Sequence, residues 1–537
     1  MNFKKLIIFC LYIIVLVTIS RSQSNSEIPK LFEKNGHHSL LVDGKPFFIL
    51  GGQAHNSSGW PEVLPSVWSA VETMHMNTLE VPIYWELIEA QQGKFDFSSI
   101  DTLLMQAREH HMRLILLWFA TWKNGSNHYI PGWMKKEASK YPNITGQNGK
   151  PVDSPSPHTE AAMEADRNAF ASVMRYLKKA DSQHTVIMLQ IENEAGSWGS
   201  VRDFSAKAQQ LFEGPVPTEL LKPELLKTLN VPVVTEGSWR KVFGERADEY
   251  FHAWSIARYV GQVARAGKDA YSLPMYTNAA LRDPLTNPPA THYESGGPTD
   301  NVIAIWKVAA PALDFVSPDI YLSGSEKIMK VLELYDRPDN TLFVPEINST
   351  PDYSKYLYEV LARGGIGYSP FGIDDNGKGA SVAETAERLA SFSQEYAVMV
   401  PMMRELAQWG SEGKMKAIIE REDHADQTVD LGSWQIKVFF GSGRGNAFKQ
   451  NPKPTGKVLI AQLEENKYVL IGTDCRISFS PLDKNQGRAW QYLKVEEGHY
   501  NQGNFKLRRI INGDETDWGG PLFGATPVVL KAELVVR

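Results

Sequence analysis

Short apolar runs alternate with longer amphipathic stretches over residues 46–371 of the chain. The short runs are rich in Val, Ile, Leu, Phe and Tyr, which favours buried strands, and the longer stretches repeat apolar residues at helical spacing. One such stretch places Leu103, Leu104 and Ala107 on a single helix face. The runs predict eight strands that end near Gly52, Tyr84, Ala120, Glu194, Asn278, Tyr321, Glu346 and Phe371.

Eight strand-then-helix units indicate an α/β fold, the (β/α)8 TIM barrel, whose site lies at the carboxyl ends of the strands. A doubly wound parallel sheet is the rival, but no glycine-rich phosphate loop follows the first strand. The connections from Thr121 to Pro157 and from Gly196 to Leu273 are long. Both leave the carboxyl ends of strands, where long loops are usually functional.

A long helical pattern from Ala380 to Trp409 is followed by Gly410 and Gly413, which mark a boundary. The barrel with its following helix is therefore assigned to residues 24–412. Beyond the boundary, apolar and polar residues alternate between turn-rich loops, a pattern typical of antiparallel strands. Residues 413–537 are predicted to form a C-terminal all-β sandwich. The alternation is visible at Val429/Leu431, Trp434/Ile436/Val438, Val458/Ile460, Tyr468/Leu470 and Leu534/Val536.

The N-terminus has the pattern of a secretory signal peptide over residues 1–23. Lys4 and Lys5 precede an apolar run from Leu6 to Ile19, and small polar residues follow. The run is shorter than the about 20 residues that a membrane span needs. An uncleaved anchor is the alternative. We therefore expect an exported protein, periplasmic or extracellular, without stable membrane insertion once the signal is removed.

Charge and composition argue against several other classes of protein. The formal net charge of the 537 residues is −6, so no basic excess is available to neutralise phosphates, and nucleic acid is not expected as a partner. The 13 His include no H-E-x-x-H motif, and the Cys are only Cys10 and Cys475, with Cys10 inside the predicted signal. Neither a metal nor an organic cofactor is expected.

Two predicted strand ends carry glutamates that suggest a reaction. Strand four closes with Gln-Ile-Glu-Asn-Glu, ending at Glu194, and strand seven closes with Val-Pro-Glu, ending at Glu346. A carboxylate at the mouth of an apolar strand is costly unless it is paired or used. Two carboxylates from opposite sides of a barrel mouth can flank one sugar, as glycoside hydrolysis requires, and a gap of about 5–5.5 Å gives net retention.

The expected environments assign the roles. Glu194 should be the acid, because nearby negative charge and apolar walls raise the pKa of a carboxyl. Glu346 should be the nucleophile, kept ionised by hydrogen-bond donors such as Tyr321 at the end of strand six. Asn193 could bond a sugar hydroxyl next to the anomeric carbon.

Several alternatives remain open on the same residues. Either strand-end glutamate could instead pair with a neighbouring loop. Glu192 shares a face with Glu194 if the strand stays regular, so it could be the acid, although we prefer Glu194 as the residue nearest the mouth. Trp198, just after the acid, could line a leaving-group subsite, and packing within its loop is an equal explanation.

The segment QIENEAG at residues 190–196 resembles the QVENEYG type of the retaining β-galactosidases of glycoside hydrolase family 35. Its Asn–Glu pair is shared with the wider clan of barrel glycosidases that includes family 42. LEVPIYWELIEAQQGKFDF at residues 79–97 and GGQAH at 51–55 are similar to further family segments, and the likeness covers residues 45–371. The resemblance implies these roles: acid/base for Glu194, nucleophile for Glu346, hydroxyl binding for Asn193, and site-wall positions for Tyr84 and Trp85.

The chain departs from the family pattern at two places. The family's Trp–Asn pair reads Trp85–Glu86, and its ICAEW segment, whose Glu helps hold galactose, reads Phe-Ala-Thr-Trp with Thr121 and Trp122. Losing that glutamate removes an acceptor for ring hydroxyls, and Glu86 is the candidate replacement unless it forms a surface salt bridge.

The resemblance implies a retaining exo-β-glycosidase, a β-galactosidase, that hydrolyses oligosaccharides or polysaccharide-derived substrates. The alternatives are the same mechanism on an arabinopyranoside, xyloside or glucoside, or a carbohydrate-binding protein without catalysis. The pair Glu194 and Glu346 argues against the last of these.

Overall fold

The computed structural model describes residues 27–34, 36–375, 382–443, 447–482 and 486–537. The predicted signal peptide, and Ala380 at the start of the predicted long helix, lie outside the described residues. No helix within these ranges combines the length and apolar content that a bilayer span requires.

Eight parallel strands close into a barrel, in the order of the chain, with strand eight paired to strand one. Each apolar run singled out in the sequence forms one of these strands, so the predicted (β/α)8 barrel is confirmed. Strands one to eight are Ile49–Gln53, Thr78–Tyr84, Arg113–Lys123, Val186–Asn193, Met275–Ala280, Phe315–Ile320, Val344–Ile347 and Gly367–Pro370.

Helices follow the strands and cover the outside of the barrel, where their apolar faces join the outward-facing strand residues in one core. The α-helices are Leu64–Thr73, Trp85–Ile88, Ser98–Glu109, Gly132–Lys135, Glu160–Ala180, Ala206–Glu213, Pro223–Thr228, Trp239–Phe243, Ala247–Ala270, Ile303–Ala309, Ser325–Tyr335, Tyr356–Ala362, Val382–Met399, Met403–Ser411 and Asp514–Asp517. Short 3₁₀ turns are Thr218–Leu221, Gly244–Arg246, Pro351–Tyr353 and Val400–Met402.

A small antiparallel sheet precedes the barrel, and the apolar runs did not predict it. Its strands are Lys30–Lys34, His37–Val42 and Lys45–Phe47. Leu40 and Phe47 of this sheet share an apolar cluster with Phe315 and Phe343 of the barrel strands. The sheet therefore helps to bury that part of the barrel core.

The loops at the carboxyl ends of strands three to five are long and partly structured. The loop after strand three contains a hairpin, Asn143–Thr145 and Pro151–Pro155. The loop after strand four carries three short helices before the long helix Ala247–Ala270, and residues 281–302 follow strand five. These loops surround the mouth of the barrel.

The C-terminal residues form two antiparallel sheets that enclose a separate apolar core, as the alternating pattern predicted. In spatial order, the larger sheet contains Met415–Ile419, Lys457–Glu464, Lys467–Thr473, Val528–Val536, Trp490–Asn501 and Asn504–Ile511. The smaller sheet contains Gln427–Leu431, Trp434–Phe440, Cys475–Pro481 and Leu522–Phe523.

Two strands of the larger C-terminal sheet, Lys457–Glu464 and Lys467–Thr473, are buried on both faces along most of their length, whereas the edge strand Asn504–Ile511 is largely exposed. Ile460 and Leu470 point into the core between the two sheets, whereas Leu459 and Ile471 belong to the core that continues into the barrel. This explains why the sequence KVLIA at 457–461 is buried throughout. A sheet that is covered on both sides loses the polar face that an antiparallel sheet usually presents to water.

The long helix predicted between the two regions is interrupted, and its first part connects both. It runs from Val382 to Met399, and a 3₁₀ turn separates it from the next helix. Tyr396 donates hydrogen bonds to the carbonyl oxygens of Gly51 (2.9 Å) and Tyr368 (2.8 Å) in the barrel. The preceding residue, Glu395, forms a buried ion pair with Lys457 of the larger sheet at 3.0 Å.

Candidate active site

The end of strand four breaks the alternation that a regular strand would show. Glu192 and Glu194 both have left-handed backbone conformations, with φ of +59° and +45°, which non-glycine residues seldom adopt. The Asn193 amide points to the barrel mouth and donates to Glu346 Oε1 at 3.3 Å. Glu192 instead turns outward, where its Oε2 accepts from the backbone N–H of Trp122 at 2.7 Å.

Glu192 belongs to a buried polar layer between strand four and the surrounding helices. It interacts with Asp166, which also accepts from Trp118 Nε1 at 2.9 Å and from Thr121 Oγ1 at 2.5 Å. Burial and then the charge of Asp166 raise the pKa of Glu192 well above its usual value. Glu192 is thus placed away from Glu346, and the alternative in which it acts as the acid has no geometric support.

Glu346 lies at the end of strand seven among hydrogen-bond donors. Gln53 Nε2 donates to its Oε1 at 2.7 Å, and Tyr321 donates to its Oε2 at 2.9 Å. Asn193 is a third donor. These donors come from strands one and four and from the end of strand six, so the whole barrel fixes the orientation of the carboxylate. Hydrogen bonds to the charged form of a carboxylate favour that form.

Glu194 is buried at the same end of the barrel, and few donors reach its carboxylate. Asn124 Nδ2 donates to Oε2 at 2.5 Å, and the backbone N–H of Glu194 donates to Asn278 Oδ1 at 2.9 Å. Burial, followed by the negative charge of Glu346, raises the pKa of Glu194 to about 7, while the Lys123 ammonium opposes the rise. A carboxyl with this pKa can hold a proton near neutral pH and release it when the environment changes.

Asp319, near the end of strand six, is a third carboxyl at the site that the sequence argument did not single out. Asn278 Nδ2 donates to it at 2.6 Å. Burial and then the charges of Glu346 and Glu194 raise its pKa well above the usual value. The signal was available in the sequence, because Asp319 also stands at the mouth of an apolar strand.

Lys123 is a cation at the site, and the sequence argument did not single it out. The pairing of strands three and four shifts register between Trp118 and Lys123. The shift brings the nearly buried Lys123 ammonium to the mouth, where it contacts Asn124 Oδ1 and lowers the pKa values of Glu194 and Asp319.

Three residues predicted to contact the substrate make their contacts away from the carboxyl groups at the mouth, in contrast to the expectation from the sequence. Trp85 is fully buried, and its indole N–H donates to Glu89 at 2.8 Å. Thr121 points to Asp166 in the outer layer, and the Trp122 ring packs edge-on against Tyr259. The register shift in strand three turns the last two residues away from the mouth, and Trp85 begins a helix instead of continuing strand two.

Glu86 and Tyr84, the other two residues predicted to contact the substrate, bond to other parts of the protein. Glu86 forms a salt bridge with Lys135 at 3.1 Å, which was the alternative to a sugar contact. Tyr84 lies at the end of strand two, where its hydroxyl donates to the Asn56 carbonyl at 2.9 Å and accepts from the Gly59 N–H at 3.0 Å. Tyr84 therefore holds the loop that follows strand one.

Asp374 joins the loops after strands one and eight. It accepts from the backbone N–H of His55 at 2.9 Å and from Ser58 Oγ at 2.5 Å.

Within the described ranges, no group of three or more His, Cys, Asp or Glu side chains is arranged to hold a metal ion.

The barrel and the C-terminal region match different family models. Residues 57–264 match the model of glycoside hydrolase family 42, described as "Beta-galactosidase". This range includes Glu194 but ends before Glu346. Residues 392–522 match DUF5597, described as a domain of unknown function. The first match indicates a glycoside hydrolase. The matching model is that of family 42, whereas the sequence motifs resembled family 35. The assignment to family 35 therefore stays a prediction.

The chain is also similar to several β-galactosidases over part of its length. It is 26% identical to "Beta-galactosidase" of Xanthomonas manihotis over 184 residues, which is 32% of this chain and 28% of that protein. It is 31% identical to "Beta-galactosidase 11" of Arabidopsis thaliana over 105 residues, 18% of this chain and 12% of that protein. The matched part therefore spans less than a third of either relative.

Among solved structures, the β-galactosidase from Bacillus circulans sp. alkalophilus superposes with a TM-score of 0.48 at 10% identity, covering 90% of this chain and 99% of that one. The β-galactosidase from Rahnella sp. R3 superposes with a TM-score of 0.46 at 15% identity, covering 68% and 58%.

Proposed function

We propose that the protein is a retaining exo-β-glycosidase that removes terminal β-linked sugars from oligosaccharides, with β-galactosides as its substrates. The observation that carries this proposal is the contrast between two buried carboxyl groups at one barrel mouth. Glu346 accepts hydrogen bonds from three side-chain donors, whereas burial and the charge of Glu346 raise the pKa of Glu194 to about 7. A double displacement needs a nucleophilic carboxylate and a carboxylic acid, and these surroundings suit the two roles.

In the first step, the Glu346 carboxylate attacks the anomeric carbon while Glu194 gives its proton to the glycosidic oxygen. The bond between that oxygen and the sugar breaks, the leaving group departs as an alcohol, and the sugar becomes an ester of Glu346. Formation of the ester removes the charge of Glu346, and this lowers the pKa of Glu194 because that charge had raised it.

In the second step, the ionised Glu194 takes a proton from water, and the oxygen of that water attacks the anomeric carbon. The ester bond breaks, and Glu346 leaves as a carboxylate. Two inversions give a product with the β configuration of the substrate. Asn193 is adjacent to Glu194 and bonded to Glu346, so it is well placed to contact a hydroxyl of the same sugar.

The choice of β-galactosides is supported by the description of the matching family and by the names of the partial relatives. One observation favours a second candidate, the same mechanism on a xyloside, glucoside or arabinopyranoside. Thr121 stands where the resembling family has a galactose-binding glutamate, and Thr121 faces Asp166 instead of the pocket. A panel of 4-nitrophenyl β-glycosides separates these substrates by kcat/KM.

The stereochemical course is tested by ¹H NMR on the first turnovers. The β anomer should be released first, and release of the α anomer would exclude a retaining enzyme. The roles are tested with azide and a dinitrophenyl β-glycoside. Glu346→Gly should form the α-glycosyl azide, because azide replaces the nucleophile. Glu194→Ala should form the β-glycosyl azide, because azide attacks the sugar ester. The opposite pair of products would exchange the two roles.

Export completes the proposal and rests on residues 1–23. N-terminal sequencing of protein secreted by an expressing bacterium should begin near residue 24. Retention of the uncleaved chain in the membrane fraction would favour the anchor instead.

A further inference from the structure

Glu294 is a buried carboxylate that the proposed reaction does not use. It follows strand five in the loop 281–302, and it is 2% exposed. Neither of its oxygens has a hydrogen bond of regular geometry among the described residues, and Trp198 is the side chain that interacts with it as a donor. A buried carboxyl group without a regular donor calls for an explanation, and a donor that arrives with a ligand is one such explanation.

The chain is built to make room for this carboxylate next to Glu194. A Cβ atom on Gly125 would overlap Glu294 Oε1, and one on Gly196 would lie 2.5 Å from Glu294 Cγ. Gly125 belongs to the loop after strand three, and its N–H donates to the backbone carbonyl of Glu194 at 3.1 Å. Gly196 is two residues after Glu194. Glu294 is thus packed against the two segments that flank the proposed acid.

The loop after strand five, which carries Glu294, is anchored to the loop after strand four. Ser295 and Ser197 exchange two backbone hydrogen bonds, at 2.9 and 3.0 Å, so the loop after strand five is fixed to the loop after strand four. The Glu294 carboxylate therefore has a defined position, and it does not depend on a free loop.

Trp198 supplies an aromatic surface beside Glu294. The Cβ position on Gly125 that would overlap Glu294 Oε1 lies 3.1 Å from Trp198 Cδ1, so both side chains meet over Gly125. The Trp198 side chain is otherwise 49% exposed. An exposed aromatic ring offers an apolar surface to the C–H face of a sugar, and a carboxyl group beside it can accept hydrogen bonds from the sugar hydroxyls.

The position of Glu294 and Trp198 relative to Glu194 and Glu346 indicates which part of the substrate they would contact. The donors of Glu346 come from strands one and four and the end of strand six, whereas Glu294 contacts the loops that bracket Glu194. In the proposed mechanism the acid faces the leaving-group oxygen. A group beyond the acid, away from the nucleophile, faces the leaving group.

Resting on the function proposed above, we propose that Glu294 and Trp198 form a subsite for a sugar leaving group. Glu294 accepts hydrogen bonds from hydroxyls of that sugar, and the Trp198 ring packs on its apolar face. The enzyme is then specific for oligosaccharides over glycosides with small aromatic leaving groups. Burial and then the charge of Glu194 raise the pKa of Glu294 well above its usual value, and the Lys123 ammonium opposes the rise, which agrees with the proximity of these groups.

The test compares two substrates with the same terminal sugar, a β-linked disaccharide and a 4-nitrophenyl β-glycoside. Glu294→Gln keeps the shape of the side chain and replaces one oxygen acceptor with an amide donor. It should lower kcat/KM for the disaccharide by about 10- to 100-fold, the range for leaving a buried polar group without its partner. For the nitrophenyl glycoside, which has no leaving-group hydroxyls, the change should stay below about threefold.

Trp198→Ala should give the same selective loss, and because Trp198 is half-exposed this variant should fold. Glu219→Gln, on an exposed turn of the loop after strand four, is the matched control and should behave as the wild type. Thermal unfolding of each variant shows that it is folded.

Two results would overturn the subsite. An equal loss on both substrates, with a displaced alkaline limb of the pH profile, would show that Glu294 acts through Glu194. No loss on either substrate would remove Glu294 from recognition altogether. Failure of the proposed function is recognised separately, because the wild-type protein would then hydrolyse neither substrate.

Discussion

Glu346 and Glu194 lie at one end of the same barrel, yet their surroundings differ in kind. Three side-chain donors surround Glu346, from Gln53, Asn193 and Tyr321. Glu194 has Asn124 as its side-chain donor, and burial followed by the charge of Glu346 raises its pKa. Donors stabilise a negative charge, whereas burial beside another carboxylate stabilises the proton. The neighbours, and not the residue type, therefore suit the two glutamates to different roles.

The largest expected effect on activity comes from replacing the proposed nucleophile, Glu346. Glu346→Gln should lower kcat/KM on the order of 10⁴-fold or more, because the covalent step is lost. The loss should be similar for a dinitrophenyl and an alkyl glycoside of the same sugar, measured by initial rates. A much smaller loss on either substrate would show that Glu346 is not the nucleophile.

Replacing the proposed acid, Glu194, should lower the rate of hydrolysis by a factor that depends on the leaving group. Glu194→Gln should lower the rate with an alkyl leaving group by about 10²- to 10⁴-fold. A dinitrophenyl leaving group needs no proton, so its release should be affected far less.

The pH profile gives a second measure of the same residue. Glu194 donates only while protonated, so the wild-type kcat/KM should fall as pH rises through about 7. The Gln variant should lack this limb. A wild-type profile that stays level to pH 9 would contradict the assignment.

A smaller effect should follow from removing one donor on the Glu346 side. Tyr321→Phe takes away the hydroxyl that bonds Oε2, and kcat/KM should fall by about 10- to 100-fold. Tyr353→Phe is the matched control, because its hydroxyl donates to the Leu322 carbonyl instead. Equal effects of the two changes would mean that Tyr321 stabilises the fold and not the charge.

The smallest effect should come from the cation on the Glu194 side. Lys123 lowers the pKa of Glu194, so Lys123→Met should move the alkaline limb of the pH profile to higher pH. Lys135→Met, which removes a surface partner of Glu86, should leave the limb in place. A limb that moves to lower pH in the Lys123 variant would contradict the electrostatic account.

The fold was largely predictable because barrel strands are buried on both faces. Their apolar runs stand out against the helices, and all eight were found from this signal. The first three strands of the chain were missed because they are short and partly exposed. Their sequence alternates too little to indicate a sheet.

The site was predictable where a charged side chain ends a strand, as at Glu194 and Glu346. It was not predictable where the backbone departs from regular geometry. The left-handed φ of Glu192 turns that side chain outward, and the register shift in strand three exchanges Thr121 for Lys123 at the mouth. Alternation assumes a regular strand, so it fails at these irregular ends.

The helix from Val382 to Met399 has a consequence for how this protein could have been assembled. The DUF5597 match begins at residue 392, inside a helix whose Tyr396 is bonded to barrel backbone and whose Glu395 is bonded to the sheet beyond. A fragment that ended at residue 391 would separate Tyr396 from its acceptors in the barrel and expose the apolar surface between the two regions. The two regions should therefore be moved together when the protein is recombined or engineered.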